Sequence, residues 1–383
     1  MTLYRYRNCK LLRDHAIITD DLWVRNGQII DPEKIFFDER RQADIEYDCQ
    51  GVLIAPGYID LQINGAFGHD FSSADEASEE MLQEVARKLT SHGVTAFAPT
   101  VVSSNADTYK SVLPKYKRQA GSAETGATIL GIHIEGPFIN ENKRGAHRTD
   151  LLRQNPQTID DLLECYGSFD NVCIITVAPE IANMIEKIIP ELVKKYQLVV
   201  SIGHSAATLD HGERAICSGA RFITHLFNAM LPFHHRDPGL VGLLTSHCIP
   251  STTEIYYGLI VDNIHTHAAA VRLAHRVHPQ GLVLVTDAVP PLGLPDGMYH
   301  MGENKILVKN KRATNAGTET LCGSIASLAE CVQNMRQALL DGEKGQENSK
   351  NFIVESIEAA TLHPALGRLE REKKNVNVYT FVE

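Results

Sequence analysis

Three side chains in the sequence have the types and the spacing needed to hold a catalytic metal ion. Glu135, His204 and His225 each close an apolar run, in the stretches GIHIEG, VVSIGHS and RFITHLF. Such runs are typical of buried strands that open into loops. Alone, each residue would be interpreted as a solvent-facing carboxylate or a structural histidine. One carboxylate and two imidazoles completed by water form a familiar catalytic zinc sphere, so the set favours a metal site.

Asp287, in the stretch LVTDAV, also follows an apolar run. Aspartate in this position is often the N-cap of a helix. A carboxylate that faces a metal-activated water can instead accept the proton of that water as a general base. The position of Asp287 at the end of the last predicted strand therefore favours a general base.

Gln62 and Asn64 stand one residue apart in IDLQING, and therefore on one face of a strand. Neutral amides are poor ligands for zinc, which prefers imidazole, thiolate and carboxylate groups. The pair therefore predicts either that no metal is bound or that fewer metals are bound than a histidine pair would allow.

Eight apolar runs could position these residues, and amphipathic helical stretches separate most of them. We predict strands at 51–63, 94–102, 127–136, 172–180, 198–205, 221–229, 256–265 and 282–289. This alternation predicts an α/β protein built on a (β/α)₈ barrel, in which catalytic groups lie at the carboxyl ends of the strands. A doubly wound open sheet is the alternative, but it usually carries a glycine-rich phosphate turn after its first strand, which QINGAFG does not match.

The two ends of the chain differ in pattern from the barrel. Residues 1–51 contain short β-like pieces, with a strong hairpin signal in RNGQ. After residue 289 we predict a hairpin at 300–315, helices at 324–342 and 352–367, and a strand at 375–383. We therefore expect a small β-sandwich domain from 1–51 together with about 355–383, beside a barrel domain at 52–354.

The composition is that of an ordinary globular protein and argues against nucleic acid as a binding partner. The chain has 383 residues, a net charge of −10 and 22% charged residues, without the basic block typical of nucleic-acid binding. We find neither a signal peptide nor a run of about 18 apolar residues that could span a membrane. The eight cysteines form no Cys-x-x-Cys pair. We expect reduced thiols in a cytoplasmic protein.

Seven motifs together resemble the N-acetylglucosamine-6-phosphate deacetylase family of the amidohydrolase superfamily. They are APGYIDLQINGAFGHDF, GIHIEGPF, SIGHS, THLFNAM, VDNIHTH, VTDAV and TLCGS, spread from about residue 50 to 330. The resemblance implies a metal-bearing barrel, a small β-sandwich domain and a homodimer. It also implies a reaction of amino-sugar catabolism, the hydrolysis of N-acetyl-D-glucosamine 6-phosphate to D-glucosamine 6-phosphate and acetate.

By this resemblance, Glu135, His204 and His225 hold one divalent ion per subunit. Zinc is the first candidate for that ion, and iron, cobalt and nickel are alternatives. Members with Gln-x-Asn on the first strand are similar to one-metal enzymes, because the His-x-His pair of two-metal barrel hydrolases is missing. Gln62 and Asn64 then become hydrogen-bonding neighbours of the site.

The resemblance also implies contacts with the substrate. His147 matches a residue that stabilises charge on the carbonyl oxygen. Arg236 and His265 match phosphate-contacting positions, and Arg236 would reach the active site of the partner subunit. The positions that match the lining of the sugar pocket are Ala146, Asn228, Ala229, Asp262, Leu321, Cys322 and Gly323. Without the resemblance, His147 and Arg236 would be interpreted as surface loop residues.

The C-terminal stretch RLEREKKNVNVYTFVE departs from the family, because it is shorter and lacks the usual glycine-rich turn. The small domain would then miss a strand and leave an unpaired edge. Two other functions stay open at this point. One is an amidohydrolase that acts on a different N-acyl or cyclic amide, and the other is a catalytically silent sugar-phosphate-binding protein.

Overall fold

A ring of parallel strands forms the centre of the molecule, and helices surround it. The structure is a computed structural model that describes residues 2–302, 304–342 and 349–369. Eight parallel strands with outer helices form a nearly closed barrel. The predicted (β/α)₈ architecture is therefore confirmed.

The strands fall into an N-terminal sheet (β1–β5), the barrel (β6 and β9–β16), a short hairpin (β7–β8) and a three-stranded sheet (β17–β19). They are β1 (Leu3–Arg13), β2 (Ala16–Arg25), β3 (Gln28–Ile29), β4 (Ile45–Asp48), β5 (Leu53–Ile54), β6 (Tyr58–Ile63), β7 (Gly65–Ala66), β8 (His69–Asp70), β9 (Val94–Val102), β10 (Thr128–Ile129), β11 (Ile132–Glu135), β12 (Val172–Val177), β13 (Val199–Ile202), β14 (Phe222–Ile223), β15 (Tyr256–Leu259), β16 (Leu282–Leu284), β17 (Gly297–Met301), β18 (Asn304–Lys309) and β19 (Arg312–Asn315).

The described α-helices are mostly the crossovers between these strands. They are α1 (Glu79–Leu89), α2 (Ala106–Val112), α3 (Ile159–Tyr166), α4 (Ile189–Lys194), α5 (Leu209–Cys217), α6 (Ala268–Val277), α7 (Leu328–Leu340), α8 (Ser349–Glu358) and α9 (Leu362–Leu369). Short turns of 3-10 or π helix lie at Lys34–Glu39, Thr90–His92, Leu113–Lys115, Glu141–Lys143, Thr149–Leu151, Met184–Ile188, Gly239–Thr245 and Pro279–Gly281.

The barrel closes at its mouth, where the first and last strands meet. The parallel pairs run in the order β6, β9, β11, β12, β13, β14, β15 and β16, and β10 and β11 are two parts of one strand beside β9. The Asp287 amide donates to the Gln62 carbonyl at 2.8 Å, and the Asn64 amide donates to the Ala288 carbonyl at 2.7 Å. These bonds bring the end of the last strand directly against Gln62 and Asn64.

The N-terminal sheet confirms the predicted hairpin and corrects one predicted strand. Asn26 and Gly27 both have left-handed φ values, of 54° and 71°, as the turn between β2 and β3 requires. The single strand predicted at 51–63 is wrong. It is divided into β5, which pairs with β1, and β6, which belongs to the barrel. Pro56 separates the two, because proline has no N–H for a sheet ladder.

The elements after residue 289 differ more from the predicted ones than those of the N-terminal sheet do. The hairpin predicted at 300–315 is the three-stranded sheet β17–β19, and the helix predicted at 352–367 is the pair α8 and α9. The amides of Ile59 and Leu284, both in barrel strands, donate to the carbonyls of Ala360 and Ala359 at 2.8 Å. The turn between α8 and α9 is therefore hydrogen-bonded to barrel strands, whereas the assignment of about 355–383 to a small β domain stays a prediction. The strand predicted at 375–383 lies outside the described residues.

The structure also describes the state of the cysteines and the character of the helices. All eight cysteines lie in described parts of the chain and none forms a disulfide; five of them are buried. Among the described helices, none combines the length and the apolar character that a membrane crossing needs.

Candidate active site

Glu135, His204 and His225 are carried to one place by the ends of three barrel strands. Glu135 is the last residue of β11, and the histidines follow β13 and β14 by two residues. His204 and His225 have left-handed φ values of 47° and 26°. Non-glycine residues rarely adopt this conformation, and it is retained where the surrounding structure imposes it. Here it turns each ring away from its strand axis and toward the Glu135 carboxylate.

The three side chains form a buried cluster of potential metal ligands. The Nε2 atoms of His204 and His225 lie 3.0 and 3.1 Å from Glu135 Oε1, and 3.0 Å from each other. All three residues are at least 95% buried. Among the described residues this is the one group of three His, Cys, Asp or Glu side chains close enough to share an ion. The predicted convergence is therefore present.

The donor chemistry of this cluster fits a divalent metal ion. His204 donates its Nδ1 proton to the Lys143 carbonyl at 2.9 Å, which leaves the lone pair of Nε2 facing Glu135. Histidines that bind metal usually hold their second ring nitrogen in this way. Two imidazole nitrogens and one carboxylate oxygen form a donor set typical of a catalytic metal site with an open position.

Burial disfavours the Glu135 anion, but its close contacts with the rings of His204 and His225 hold the pKa of Glu135 well below its usual value. Glu135 is therefore ionised at neutral pH. An anionic oxygen between two imidazoles presents the charge that a divalent cation needs in an apolar interior.

Gln62 and Asn64 tie two carboxylates together with their amide groups. Gln62 Nε2 donates to Glu135 Oε1 at 2.9 Å and to Asp287 Oδ1 at 3.3 Å. Asn64 Nδ2 donates to Asp287 Oδ1 at 2.7 Å. Two histidines here would present lone pairs for a second ion. The amides instead donate protons toward the carboxylates, so these positions hold the site together through hydrogen bonds.

Asp287 lies beside the cluster with its backbone also in the left-handed region, at φ 48°. Burial and the neighbouring Glu135 carboxylate raise the pKa of Asp287 to about 6. The group is thus mostly ionised at neutral pH, yet it is close enough to neutrality to accept and release a proton. Such a pKa suits general acid–base chemistry near pH 7. Because both amides donate to Oδ1, Oδ2 is left to receive the proton.

His147 stands on the loop after β11, and its ring packs edge-on against the His204 ring at 4.7 Å. Its Nδ1 lies 2.7 Å from Ser103 Oγ and accepts from the Ser103 amide at 3.4 Å. Nδ1 is therefore the acceptor, and the proton resides on Nε2. Burial and the ring of His204 lower the pKa of His147 to about 3. His147 is a neutral hydrogen-bond donor in the site.

Asp262 and His265 form a buried pair after β15. His265 Nδ1 donates to Asp262 Oδ2 at 2.7 Å, and the amides of Ile264 and His265 donate to Oδ1 at 2.9 and 2.7 Å. Although burial disfavours the anion, the hydrogen bond with His265 lowers the pKa of Asp262. His265 lines the cavity, and Asp262 stands behind it rather than in the lining. The Asp262 carboxylate thus orients the His265 ring.

A cavity of about 570 Å³ opens over the cluster, which is a usual size for a small-molecule site. Most of the predicted site residues line it: Asn64, Glu135, Ala146, His147, His204, His225, Asn228, Ala229, His265, Asp287, Leu321, Cys322 and Gly323. Gln62 lies beneath the lining. Arg236 is exposed, with its guanidinium 3.0 Å from His235 Nε2, and lies outside the cavity of its own chain.

Several polar residues that support this site have no distinctive sequence signal. Ser103 holds His147, and Glu180 lies under the loop that follows His204. His133 is buried beneath the cluster and bonds Thr176 Oγ1 at 2.7 Å and the Leu61 carbonyl at 3.0 Å. Their one visible signal is a polar residue at or near the end of an apolar run, which many residues share.

One relative and two solved structures that this chain resembles are named for the same enzyme. No family model matches the chain. A Bos taurus protein named N-acetylglucosamine-6-phosphate deacetylase is 50% identical over 371 residues, which cover 96% of this chain and 88% of that protein. The structure of N-acetylglucosamine-6-phosphate deacetylase from Pasteurella multocida aligns with a TM-score of 0.77 and 28% identity over 96% of this chain and 90% of its own. A mutant of the Mycobacterium smegmatis enzyme, solved with N-acetyl-D-glucosamine 6-phosphate, aligns with a TM-score of 0.77 and 26% identity over the same shares.

Proposed function

The chain belongs to the N-acetylglucosamine-6-phosphate deacetylase family, and from this we propose that it hydrolyses N-acetyl-D-glucosamine 6-phosphate to D-glucosamine 6-phosphate and acetate. The observation that carries the proposal is the buried Glu135–His204–His225 cluster facing Asp287 across one cavity. A binding protein would have no need of a general base opposite a metal-ligand set. The reaction is a step of amino-sugar catabolism.

Glu135, His204 and His225 would hold one divalent ion, with zinc as the first candidate because two imidazoles and a carboxylate are ligands it prefers. When bound, such an ion supplies Lewis acidity to a water molecule and to a carbonyl oxygen. Gln62 and Asn64 direct N–H groups at the neighbouring carboxylates, and their neutral amide oxygens are poor ligands for a second zinc ion.

Asp287 takes the proton of the attacking water. Its Oδ1 is held by Asn64 at 2.7 Å, so the carboxylate cannot rotate away while Oδ2 accepts the proton. The substrate amide nitrogen is a poor leaving group until it is protonated. Asp287, with a pKa raised to about 6 by burial and by Glu135, then gives the proton to that nitrogen.

His147 donates from Nε2 to the carbonyl oxygen as negative charge develops there. Its Nδ1 is occupied by Ser103, which keeps the donor on the cavity side. A donor fixed before the reaction needs no reorganisation when the charge appears, and one such donor typically contributes a rate factor of about 10² to 10³.

The phosphate would be bound by cationic and donor side chains at the far side of the cavity. His265, oriented by Asp262, supplies one donor from its own chain. Arg236 would supply two-pronged recognition, for which guanidinium geometry is suited. Because Arg236 is exposed beside Phe233, which is 61% exposed, we propose that the loop crosses to the partner subunit of a homodimer.

The test is acetate release from N-acetylglucosamine 6-phosphate by purified protein, before and after treatment with a chelator. We expect turnover that the chelator abolishes and zinc restores, with about one ion per chain by elemental analysis. N-Acetylglucosamine without the phosphate and other N-acyl amino-sugar phosphates complete the substrate panel. Turnover of another amide alone, or substrate binding without acetate, would overturn the proposal. Two tightly held ions per chain would overturn the role of Gln62 and Asn64.

A further inference from the structure

Glu180 joins two loops beside the metal-ligand cluster without touching the cluster. Its Oε1 accepts from Asn140 Nδ2 at 2.9 Å and from the Ala206 amide at 2.6 Å. Its Oε2 accepts from Ser205 Oγ at 2.7 Å. Hydrogen bonds to a charged acceptor are the stronger kind. The side chain therefore fixes the loop after β11 and the loop after β13 with respect to each other.

These two loops together hold His204 in place. The Asn140 amide donates to the His204 carbonyl at 2.9 Å, and His204 Nδ1 donates to the Lys143 carbonyl at 2.9 Å. Glu180 also accepts hydrogen bonds from Ser205 and Ala206, the two residues directly after His204. Glu180 thus anchors both the backbone next to His204 and the loop whose Lys143 carbonyl orients the His204 ring.

The backbone conformation of His204 makes such an anchor necessary. Its φ of 47° lies in the left-handed region, which is unfavourable for a non-glycine residue. Without external bonds, the segment would relax toward an extended conformation. The ring would then turn away from Glu135, which lies 3.0 Å from its Nε2.

We propose that Glu180 is a positioning residue for the metal ligand His204, acting through Ser205, Ala206 and Asn140; this deepens, and rests on, the metal site of the proposed function. Outer residues that orient ligands typically contribute about 10- to 100-fold to metal affinity or activity. A carboxylate that only anchors a loop would lower stability and leave the affinity for metal unchanged. Zinc affinity therefore separates the two roles.

The experiment measures the affinity of the full-length chain for Zn²⁺ alone, by competition with a chelating dye. We expect the Glu180→Ala protein to bind zinc about 10- to 100-fold more weakly than the parent. Glu180→Gln should lie between the two, because its amide oxygen can still accept from Asn140 and Ala206. With zinc in excess, the kcat of Glu180→Ala should return toward the parent value, since the reacting groups remain in place.

Glu213 provides a matched control. It is also a half-buried glutamate that accepts from a serine, with Ser246 Oγ at 2.5 Å, but it stands on α5 away from His204. Glu213→Ala should keep the zinc affinity of the parent. If Glu180→Ala fails to fold, Asn140→Ala carries the test, because it removes the Asn140 Nδ2 donor to Glu180. Asn140→Asp separates this bond from the loop cap, because it keeps the Oδ1 that accepts from the Asn142 amide. Both variants should weaken zinc binding several-fold.

Parent-like zinc affinity in Glu180→Ala or, where that variant does not fold, in Asn140→Ala would overturn the proposal. An equal loss of affinity in Glu213→Ala would do the same. The proposed function fails by a different result, namely a parent protein that binds zinc and releases no acetate. In that case the effect of Glu180 on zinc affinity would still stand.

Discussion

The N-terminal sheet and the mouth of the barrel differ in the solvent exposure of their charged groups and in the sign of the neighbouring charges. In the sheet, Arg5 pairs with Asp21 at 2.6 Å and with Glu46 at 3.0 Å, and all three side chains are 27–40% exposed. At the mouth, Glu135 is buried and Asp287 is half-buried, and amide donors hold both carboxylates. Exposed pairs contribute little to folding, whereas buried like charges oppose it. The mouth is therefore maintained for chemistry at a cost in stability.

The two regions also differ in where the backbone is left-handed. In the described part of the N-terminal sheet and its connections these residues are Asn8, Asp14, His15, Asn26, Arg40 and Gln50. They lie in turns, at a bulge or at the end of a helical turn, and four of the six are Asn, Asp or His, which tolerate the conformation. At the mouth, three of the functional residues, His204, His225 and Asp287, are left-handed themselves. In the sheet, left-handed residues mostly form turns. At the mouth, the left-handed conformation orients the side chains of functional residues.

The comparison is tested most strongly by Asp287→Asn. Asparagine keeps the shape and the Asn64 contact region but cannot accept the water proton, so kcat should fall by about 10² to 10⁴. The metal content should stay at one ion per chain, because Asp287 is outside the ligand cluster. Acetate release and elemental analysis measure the two. Parent-like turnover would mean that the buried charge at the mouth has no catalytic role.

A second test concerns the cost of buried charge at Asp60, which lies under the mouth and accepts from Thr286 Oγ1 at 2.6 Å. Burial raises the pKa of Asp60 to about 7. Because the folded state binds this proton more tightly than the unfolded state, stability from this group is full below about pH 4 and is lost as pH rises to about 7.

Asp60→Asn removes this titration. The free energy of unfolding of the variant should therefore increase relative to that of the parent between pH 5 and pH 8, by about 1 to 3 kcal/mol. Urea unfolding at both pH values measures the difference. A gap between variant and parent that does not change with pH would contradict the raised pKa.

Ser103→Ala tests how much one hydrogen bond at the mouth contributes to the reaction. Losing the Oγ contact to His147 Nδ1 frees the ring to turn, so kcat should fall roughly tenfold while zinc content stays the same. Ser104→Ala is the control, since Ser104 Oγ donates to the Val102 carbonyl and not to His147. Equal rates for the Ser103 and Ser104 variants would remove Ser103 from the mechanism.

The smallest effect is expected in the N-terminal sheet. Glu46→Gln removes the 3.0 Å pair with Arg5, and it should change the free energy of unfolding by less than about 1 kcal/mol because solvent screens the pair. Urea unfolding at pH 7 measures it. A loss above about 2 kcal/mol would show that the charges of the sheet are as consequential as those of the mouth.

The sequence predicted the mouth better than it predicted the ends of the chain. The apolar runs ending in Glu135, His204 and His225 indicated both the strands and the ligands, because each run is local. The split of 51–63 into strands of two sheets depends on which partner each half meets, and no local pattern records that. The contacts of the α8–α9 turn with the barrel strands depend on tertiary packing in the same way.

The supporting residues of the site were not predictable from single positions. Ser103 and His147 are 44 residues apart, and Glu180 and Ser205 are 25 apart, so neither pair forms a motif. Gln62 and Asn64 were recognised as neighbours of the site by resemblance, but their donation to Asp287 was not. That contact depends on closure between the first and last strands of the barrel.

The sequence alone determined the alternation of strands and helices, the RNGQ turn and the chemical types at the strand ends, because periodicity and turn chemistry act over a few residues. Tertiary structure decided three contacts. It places His204 Nε2 3.0 Å from Glu135, lets the amides of Gln62 and Asn64 both donate to Asp287, and orients His147 so that its Nδ1 faces Ser103. These are long-range contacts, and they exist only once the barrel has closed.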